Sequence, residues 1–573
     1  MSEISLAAPA VEKAARRPRR EIIGLVVAVI AALLVLPPLW TLLHASVTPD
    51  GGAGLTLDNF RALFASRGIA SAAVNSVIFS LCAMVLSIAL GGGVAWLVER
   101  TDVPLKKLAW LTTIVSLGTP FIVYVTAWTF LLGRSGPIND LYRTLTGSTG
   151  VLVNISTMYG MVLVEGLLWS PLCFLLMSST FRMANAEMEE AARMSGASVA
   201  EAVWLISLKL ARPAILALAL FIFVLNLEAF EVPALIGMPG GVNILTTEIY
   251  RSVKEIPPRM GYASSFSVLM LIIVSVLLYF YGRLSKHAER YASITGKGYR
   301  PRPLRLGRLR WWCAVLVALN FALVLLLPLL AMVWIALMRF LQPMRLAALK
   351  SMTFSNFVTV STSSYYHGLV VNTLLVAAAS ATIAMALTLI AGWLAARRRP
   401  YGQVIDQLVA VPLIFPGIVL GVALLEFALG FPVPIYGTLW LLMLAFIIHY
   451  MPFGMRYTYA GVLQIHPELE QAAAVAGANT RQTMTRIVTP LLAPALGSGW
   501  LFIFLLASKE MSLPLLLAGP RSQTIAVAMF DLWGNGQLGE VAALGLVWAF
   551  VMTFFGTAFY VFARRQNTTA LGG

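Results

Sequence analysis

The chain has 573 residues, of which 59% are hydrophobic and only 12% are charged, and its formal net charge is +16. This composition is too apolar for an ordinary soluble globular protein and predicts an integral membrane protein. The basic excess does not require nucleic acid as a partner, because lysine and arginine accumulate in the cytoplasmic loops of membrane proteins.

The apolar segments have the length of membrane-spanning helices. Runs of about 20 apolar residues recur, which is the length that an α-helix needs to cross a hydrocarbon core roughly 30 Å thick. The runs do not alternate in hydrophobicity as the strands of a β-barrel would. We predict twelve spans, six in each half, at residues 22–43, 72–97, 108–133, 158–181, 213–233, 263–283, 311–338, 369–396, 405–430, 437–462, 495–517 and 541–563.

Residues 1–21 form a polar arm that is rich in arginine and precedes the first span. The apolar run after this arm is longer than the hydrophobic region of a signal peptide. We therefore interpret it as a retained first helix with the basic arm in the cytoplasm. In this orientation most of the 41 lysines and arginines fall in cytoplasmic segments, and both chain termini are cytoplasmic.

A polar, alanine-rich stretch at 187–215 occurs a second time at 468–496, without a gap. The residues that match include Glu187 and Glu468, Ala191 and Ala472, Ala192 and Ala473, Gly196 and Gly477, and Pro213 and Pro494. Each copy interrupts the apolar segments, so we predict two short helices joined at a Gly-Ala step, where glycine allows a left-handed turn. The closing proline is expected to mark the start of the next span.

The repeat extends beyond these two stretches. Asn75 pairs with Asn372 at an offset of 297 residues, and prolines in corresponding spans also pair. Because six spans is an even number, the two halves are predicted to be parallel repeats. We divide the chain into a cytoplasmic arm (1–21), a first repeat (22–284), a basic cytoplasmic linker (285–310) and a second repeat (311–573).

The repeated stretch resembles the cytoplasmic EAA loop of ABC-importer permeases. The first copy has Lys209 where the family prefers proline, and the second copy has Gln471 in place of the glutamate, beside Glu470. The resemblance implies an all-α integral membrane protein with the type I ABC importer permease fold, in which two parallel six-helix repeats are fused in one chain. It also implies that the following residues couple the chain to an ATPase: Glu187, Glu190, Ala191, Ala192, Gly196, Glu468, Glu470, Ala472, Ala473 and Gly477.

No phosphate-binding glycine loop is present, since Gly296 and Lys297 lack the preceding glycine and the following serine or threonine of that motif. We therefore expect neither ATP hydrolysis nor a cofactor in this chain. The resemblance implies that two copies of a separate ABC ATPase carry ATP and Mg²⁺, and that an extracytoplasmic binding protein delivers the substrate. It implies a location in the bacterial inner membrane, where basic loops attract anionic lipid.

Ionisable side chains within or beside the spans are candidates for the translocation path, because they are costly in hydrocarbon and usually face a protein interior or water. The candidates are Glu165, Glu228, Glu231, Lys509 and Glu510. Lys509 and Glu510 could instead form a structural ion pair. The sequence shows no pairing of histidines that is typical of a metal site.

The segment 508–520 resembles the corresponding stretch of the ferric-iron importer group, so ferric iron is the predicted substrate. Acidic side chains suit a hard cation, but they suit an organic cation as well. Importers of thiamine, aminoethylphosphonate and polyamines adjoin this group and remain alternatives. A secondary transporter driven by an ion gradient is the alternative from another class, and the paired loops argue against it. No clustered His, Asp or Cys residues indicate a membrane enzyme.

Overall fold

The computed structural model describes residues 12–50, 52, 54–183, 188, 192, 194–196, 198, 201, 203–290 and 304–569. Within these residues the regular structure is helical, apart from two isolated backbone bridges. The helices of the first half are α1 (Glu12–Ser46), α2 (Asp58–Ala65), α3 (Arg67–Arg100), α4 (Lys106–Gly118), α5 (Phe121–Leu131), α6 (Pro137–Thr146), α7 (Met158–Met183), α8 (Leu208–Leu227), α9 (Leu245–Lys254) and α10 (Met260–Arg290).

The second half contains thirteen described helices. They are α11 (Leu309–Phe321), α12 (Leu327–Leu337), α13 (Ser355–Thr362), α14 (Ser364–Ala396), α15 (Gly402–Ala410), α16 (Gly417–Gly430), α17 (Leu439–Gln464), α18 (Pro467–Val475), α19 (Thr480–Thr483), α20 (Thr489–Ala507), α21 (Pro514–Leu517), α22 (Ile525–Gly534) and α23 (Leu538–Thr569). In the described part of the chain, four five-residue π-helical segments (π-turns) interrupt or precede helices, at Val203–Ser207, Pro233–Gly237, Ala322–Leu326 and Met484–Val488.

Among the described residues, ten helices are long and apolar enough to cross a membrane, and two bent pairs would bring the number of spans to twelve. This confirms the predicted all-α class. The predicted spans at 108–133 and 405–430 are not single helices: their two parts meet at 113° and 105°. In each case the second part begins after a proline, Pro120 or Pro416, and a residue that precedes a proline is driven out of the helical conformation.

The helices that follow the two polar stretches begin earlier than predicted. The second copy forms one continuous helix from Thr480 to Ala507, and in the first copy the helix runs from Val203 to Leu227. Pro213 and Pro494 therefore lie inside helices rather than at the start of a span, which corrects that prediction. Each proline lies beyond the first turn of its helix, so it removes one backbone hydrogen bond within the helix.

The chain forms two compact units that do not follow its division into halves. Unit A contains the described residues of 45–370 and 523–556. Unit B contains those of 1–44, 371–522 and 557–573. The first long helix of each half belongs to the unit that is built mainly from the other half. Helix α1 belongs to unit B, whereas α11 and α12 belong to unit A.

In unit A, α3 and α7 pack closely along their length. A Cβ atom on Gly91 would lie 2.2 Å from the carbonyl oxygen of Ser170, so only glycine permits this approach. Small residues at such crossings are typical of membrane proteins, where close van der Waals packing replaces the hydrophobic effect between helices. Helix α8 packs on both α3 and α10, and the bent pair α4 and α5 packs on α11 and α12.

In unit B, α17 packs on α14 in the same way. A Cβ atom on Gly392 would lie 2.4 Å from Oγ1 of Thr458, and the Thr458 hydroxyl donates a hydrogen bond to the Thr388 carbonyl oxygen at 2.9 Å. Helix α1 is held against this unit at two levels. The Thr41 hydroxyl donates to the Ala423 carbonyl oxygen at 3.2 Å, and Gly24 lies against the backbone of Pro400.

Candidate functional site

The second polar stretch folds as a helix, a tight turn and a second helix. Helix α18 ends at Val475, and Gly477 then adopts a left-handed backbone with φ of +83°. The second helix begins after Asn479, whose side chain accepts a hydrogen bond from the Gln482 amide while the Gln482 side chain accepts one from the Asn479 amide. This capping box satisfies backbone donors that would otherwise be exposed at the helix start. The turn is thereby fixed on both sides.

The described part of the first stretch has the same geometry. Gly196 has φ of +90°, and the Ser198 amide donates to the Glu201 carboxylate at 2.7 Å while the Glu201 amide donates to the Ser198 hydroxyl. These bonds lower the pKa of the Glu201 carboxyl, first through the Ser198 backbone amide. The predicted coupling residues Glu187, Glu190 and Ala191 lie outside the described residues; Ala192 is described and is partly buried.

In the second copy, the residues that we predict to couple to an ATPase fall into two groups. Glu468, Ala472 and Gly477 are exposed, whereas Ala473 is buried. Glu470 is turned inward and accepts hydrogen bonds from Arg397 Nε at 2.7 Å and Trp393 Nε1 at 3.1 Å. The charged side chains of Arg397 and Glu470 are only 10% and 9% exposed, so this ion pair holds α18 to α14.

Sequence reasoning missed two pairs of exposed apolar side chains in these loops. Met194 and Val475 are 92% and 91% exposed and stand two residues before the glycine of each turn. Met188 and Leu469 occupy matching positions one helical turn or more earlier and are about half exposed. Their common offset of 281 residues was visible in the sequence, but their exposure was not. Exposed apolar side chains that form a contiguous patch mark protein–protein contacts.

In unit A, the acidic candidates for the path lie around the break that follows α8. Glu165 on α7 is buried, and its Oε1 accepts a hydrogen bond from Trp169 Nε1 at 2.8 Å. Its Oε2 has no hydrogen-bond partner among the described residues, and neither does Oε1 of Glu228, the residue at the end of α8. Glu231 is close enough to Glu165 for their charges to interact. The fold thus brings two carboxylates together from segments 66 residues apart.

In unit B, the corresponding break follows α20 and contains Lys509 and Glu510. Glu510 accepts hydrogen bonds from the Tyr450 hydroxyl and from the Ser512 amide, both at 3.0 Å. Its carboxylate therefore organises the turn that leads into α21. Lys509 is buried and makes contacts of its own. In the described residues no group of three or more His, Cys, Asp or Glu side chains is arranged to hold a metal ion.

Two regions of the chain, residues 83–290 and 384–568, match the sequence model of one family, described as the binding-protein-dependent transport system inner membrane component. Together they include more than half of the chain. Each match contains one polar loop and the helices on both sides of it.

Several curated relatives are similar over much of their length. The ferric transport system permease protein FbpB of Actinobacillus pleuropneumoniae is 23% identical over 77% of this chain and 63% of its own length. The Fe(3+)-transport system permease protein FbpB 2 of Haemophilus influenzae is 22% identical over 91% of this chain and 94% of its own. The probable ABC transporter permease protein y4fN of Sinorhizobium fredii is 24% identical over 95% and 96%.

The chain spans less than two thirds of the length of FbpB from Actinobacillus pleuropneumoniae and of a putative ferric transport system permease protein FbpB 1 from Haemophilus influenzae, namely 63% and 62%. A crystal structure of a bacterial ABC transporter that imports the acidic polysaccharide alginate aligns with a TM-score of 0.36 at 17% identity, over 44% of this chain and 95% of the other. From its two matched regions, the chain belongs to the family of binding-protein-dependent transport system inner membrane components, and it carries the family domain twice in one polypeptide.

Proposed function

We propose that this chain forms the transmembrane pathway of an ATP-driven importer, with two polar loops that each receive one copy of a separate ABC ATPase. ATP and Mg²⁺ are bound and used by those partners, and this chain performs no catalysis. An extracytoplasmic binding protein delivers the substrate to the face opposite the loops. The proposal rests on the family membership and on the duplicated geometry of the loops.

The observation that carries the proposal is the continuity between each loop and a membrane helix. The second helix of the second loop continues from Thr480 to Ala507 through the π-turn at Met484–Val488, and its counterpart runs from Val203 to Leu227. At 1.5 Å per residue, each is a rod roughly 40 Å long. The rods end at the breaks that carry Glu228 and Glu231 in unit A, and Lys509 and Glu510 in unit B.

This continuity gives a physical route for coupling. An ATPase that moves a loop displaces one end of a rigid helix, and the other end of that helix carries the charged break. Closure and opening of an ATPase dimer would thereby change the surroundings of the carboxylates, which alters the affinity of the path for substrate between two states. The exposed pairs Met188 with Met194 and Leu469 with Val475 are the contacts we assign to the ATPase surface.

We assign the loops and both termini to the cytoplasm and the short helices α9 and α22 to the outer face, in the inner membrane of a bacterium. The distribution of lysine and arginine in the sequence supports this orientation. On the outer face of unit A, a polar cavity of about 200 Å³ is lined by Arg251, Arg259 and Tyr262, beside Ile256, whose side chain is 98% exposed. Arginine and tyrosine beside an exposed apolar side chain are typical of protein interfaces, so we assign this surface to the binding protein.

Ferric iron is the substrate that we propose. The support is the ferric transport named for several relatives and three carboxylates, the buried Glu165 and the half-buried Glu228 and Glu231, whose oxygen atoms suit a hard cation. Thiamine, aminoethylphosphonate and polyamines are the alternatives within the same class of importer. In this role the carboxylates form a transient path for the cargo rather than a resident metal site.

The test is purification of the chain together with the ATPase that associates with it, followed by ATPase measurements in lipid vesicles. We expect stimulation by periplasmic extract from iron-starved cells, and loss of that stimulation when a ferric chelator is added. Complex formation without an effect of iron would reject iron and leave the importer assignment in place. No ATPase association, combined with uptake that depends only on an ion gradient, would reject the importer in favour of a secondary transporter.

A further inference from the structure

Two asparagines that pair in the sequence make the same bond in the structure. Asn75 Nδ2, on α3, donates a hydrogen bond to the Asn243 carbonyl oxygen at 3.0 Å. Asn372 Nδ2, on α14, donates to the Arg521 carbonyl oxygen at 3.1 Å. The asparagines are 297 residues apart and the acceptors are 278 residues apart. Each unit thus contains one copy of this bond, and each acceptor lies in the segment that leads into a short helix, α9 or α22.

The 278-residue offset is a property of the repeat and not of this one bond. The same offset relates Gly261 to Gly539, and each of these glycines lies against the side-chain amide of another paired asparagine, Asn59 or Asn356. The duplicated bond is therefore part of a duplicated architecture.

With α9 and α22 assigned to the outer face, a contact between these two helices would form a barrier to the outer solution. Each has ten residues, too few to cross a membrane, and they meet within unit A through the rings of Tyr250 and Phe530, whose centroids are 6.4 Å apart. Tyr250 also contacts Phe230, the residue before Glu231, at 5.3 Å between centroids. An aromatic contact thus joins α9 and α22 beside the break that follows α8.

Helix α9 is hydrogen-bonded to α3 on one side and to the break after α8 on the other. On one side, Asn75 and Ser76 of α3 bond the Asn243 carbonyl and the Leu245 amide. On the other side, the Thr246 hydroxyl donates to the Ala229 carbonyl oxygen in the break after α8, at 2.7 Å. When the rod that ends at this break is displaced, α9 either stays with α3 or follows α8. The bonds to α3 therefore oppose the movement of α9.

We propose that Asn75 and Asn372 are positioning residues that hold the segments leading into α9 and α22 while the outer barrier is closed, and that their two bonds break when the barrier opens. This inference rests on the proposed function. A side-chain amide suits such a role, because the net free energy of one hydrogen bond shifts an equilibrium about fivefold. A bias of this size keeps the barrier closed at rest and still lets it open.

The test uses Asn75→Asp and Asn372→Asp, which keep the side-chain size and remove the donor. The matched controls are Asn59→Asp and Asn356→Asp. Those asparagines also donate to backbone carbonyls, but they join α2 and α13 to the ends of α1 and α12. The first readout is thiol labelling from the outer side at Ala528→Cys, a buried position on α22, in a chain whose three native cysteines are replaced. The second readout is the ATPase rate with and without binding protein.

We expect each of the two variants to raise the labelling rate and the basal ATPase rate about fivefold, so that stimulation by the binding protein falls in the same proportion. The control variants should lower the melting temperature without changing the labelling rate or the stimulation of the ATPase by the binding protein. Equal labelling in the Asn75 and Asn372 variants and in the parent chain that carries only the reporter cysteine would overturn the inference. Faster labelling without any ATPase association would uphold the barrier and reject the proposed function, because the labelling does not depend on the ATPase.

Discussion

At the scale of single residues, the ion pair between Arg397 and Glu470 shows why an acidic loop residue need not face a partner. Both side chains are nearly buried, and Trp393 provides a further hydrogen bond to the carboxylate. The positions that match Trp393 and Arg397 in α3 are Trp96 and Arg100, of which Arg100 is also buried, while the residue that matches Glu470 lies outside the described residues. Glu470 thus has a structural role in positioning α18.

Glu470→Ala should destabilise this part of unit B by about 3 kcal/mol, because it leaves the Arg397 charge buried without its partner. Glu468→Ala, two residues away and exposed, should change stability by less than about 0.5 kcal/mol. Thermal unfolding of the purified chain and hydrogen exchange of α18 measure the difference. Equal effects of the two substitutions would contradict the structural role of Glu470.

The glycines of the two turns permit a second prediction at this scale. Gly196 and Gly477 have positive φ angles, and each side chain other than hydrogen would be strained there by about 1–2 kcal/mol. Replacing both with valine should leave membrane insertion intact and abolish ATPase association. The control is valine at Gly93 and Gly430, which have open space and ordinary backbone angles. If the variant with both Gly196 and Gly477 replaced still co-purifies normally with the ATPase, the assignment of the two loops as ATPase-binding sites is wrong.

At the scale of elements, the two polar loops are alike in more than their sequence. A π-turn precedes the membrane helix in both copies, at Val203–Ser207 and Met484–Val488. Pro490 follows the second π-turn, whereas Lys209 stands at the matching position of the first. Because the π-turn forms with a lysine as well as with a proline, it does not depend on a missing backbone donor.

Pro490→Lys should therefore preserve the π-turn and the continuity of the helix, with a change in stability of less than about 1 kcal/mol. ATPase stimulation should stay within about twofold of the unmodified chain. A helix break detected by hydrogen exchange around 484–490, or a loss of stimulation comparable with that of the glycine variant, would show that the proline is needed. Lys209→Pro is the matched change in the first loop.

At the scale of the whole molecule, the exchange of the first long helices makes each unit depend on both halves of the chain. Helix α1 bonds to the carbonyl of Ala423 and lies against Pro400 within unit B. Helices α11 and α12 cover the bent pair α4 and α5 within unit A, beside a largely apolar cavity of about 420 Å³. Neither unit can be assembled from one half alone.

A chain divided within the linker at 285–310 should therefore yield halves that are unstable when produced separately and stable when produced together. Co-expressed halves should co-purify in a one-to-one ratio and retain ATPase stimulation. Deletion of α1 alone should expose the surface around Ala423 and increase the proteolysis of residues 371–522, with little effect on residues 45–290. Protease resistance of the second half produced by itself would contradict this dependence.

Much of the architecture could be predicted from local properties of the sequence. Apolar runs of membrane length, the paired loops and the glycine turns depend on residues close together in the chain, so hydropathy and repeated spacing are enough to find them. The membership of the family was likewise foreseen from the loops, and the matched regions confirm it. The all-helical class follows from the need of a membrane-embedded backbone to satisfy its own hydrogen bonds.

Tertiary structure decided what depends on contacts between distant residues. It turned Glu470 inward and left Met194 and Val475 in solvent, although hydropathy suggests the reverse. It bent two predicted spans, placed Glu165 within the field of Glu231, and exchanged the first helices between the units. The sequence by itself determined the class, the repeat and the position of the loops, because these are set by local composition. Which side chains are buried and which residues contact each other was decided only on folding, because both depend on surfaces that come together from the two halves of the chain.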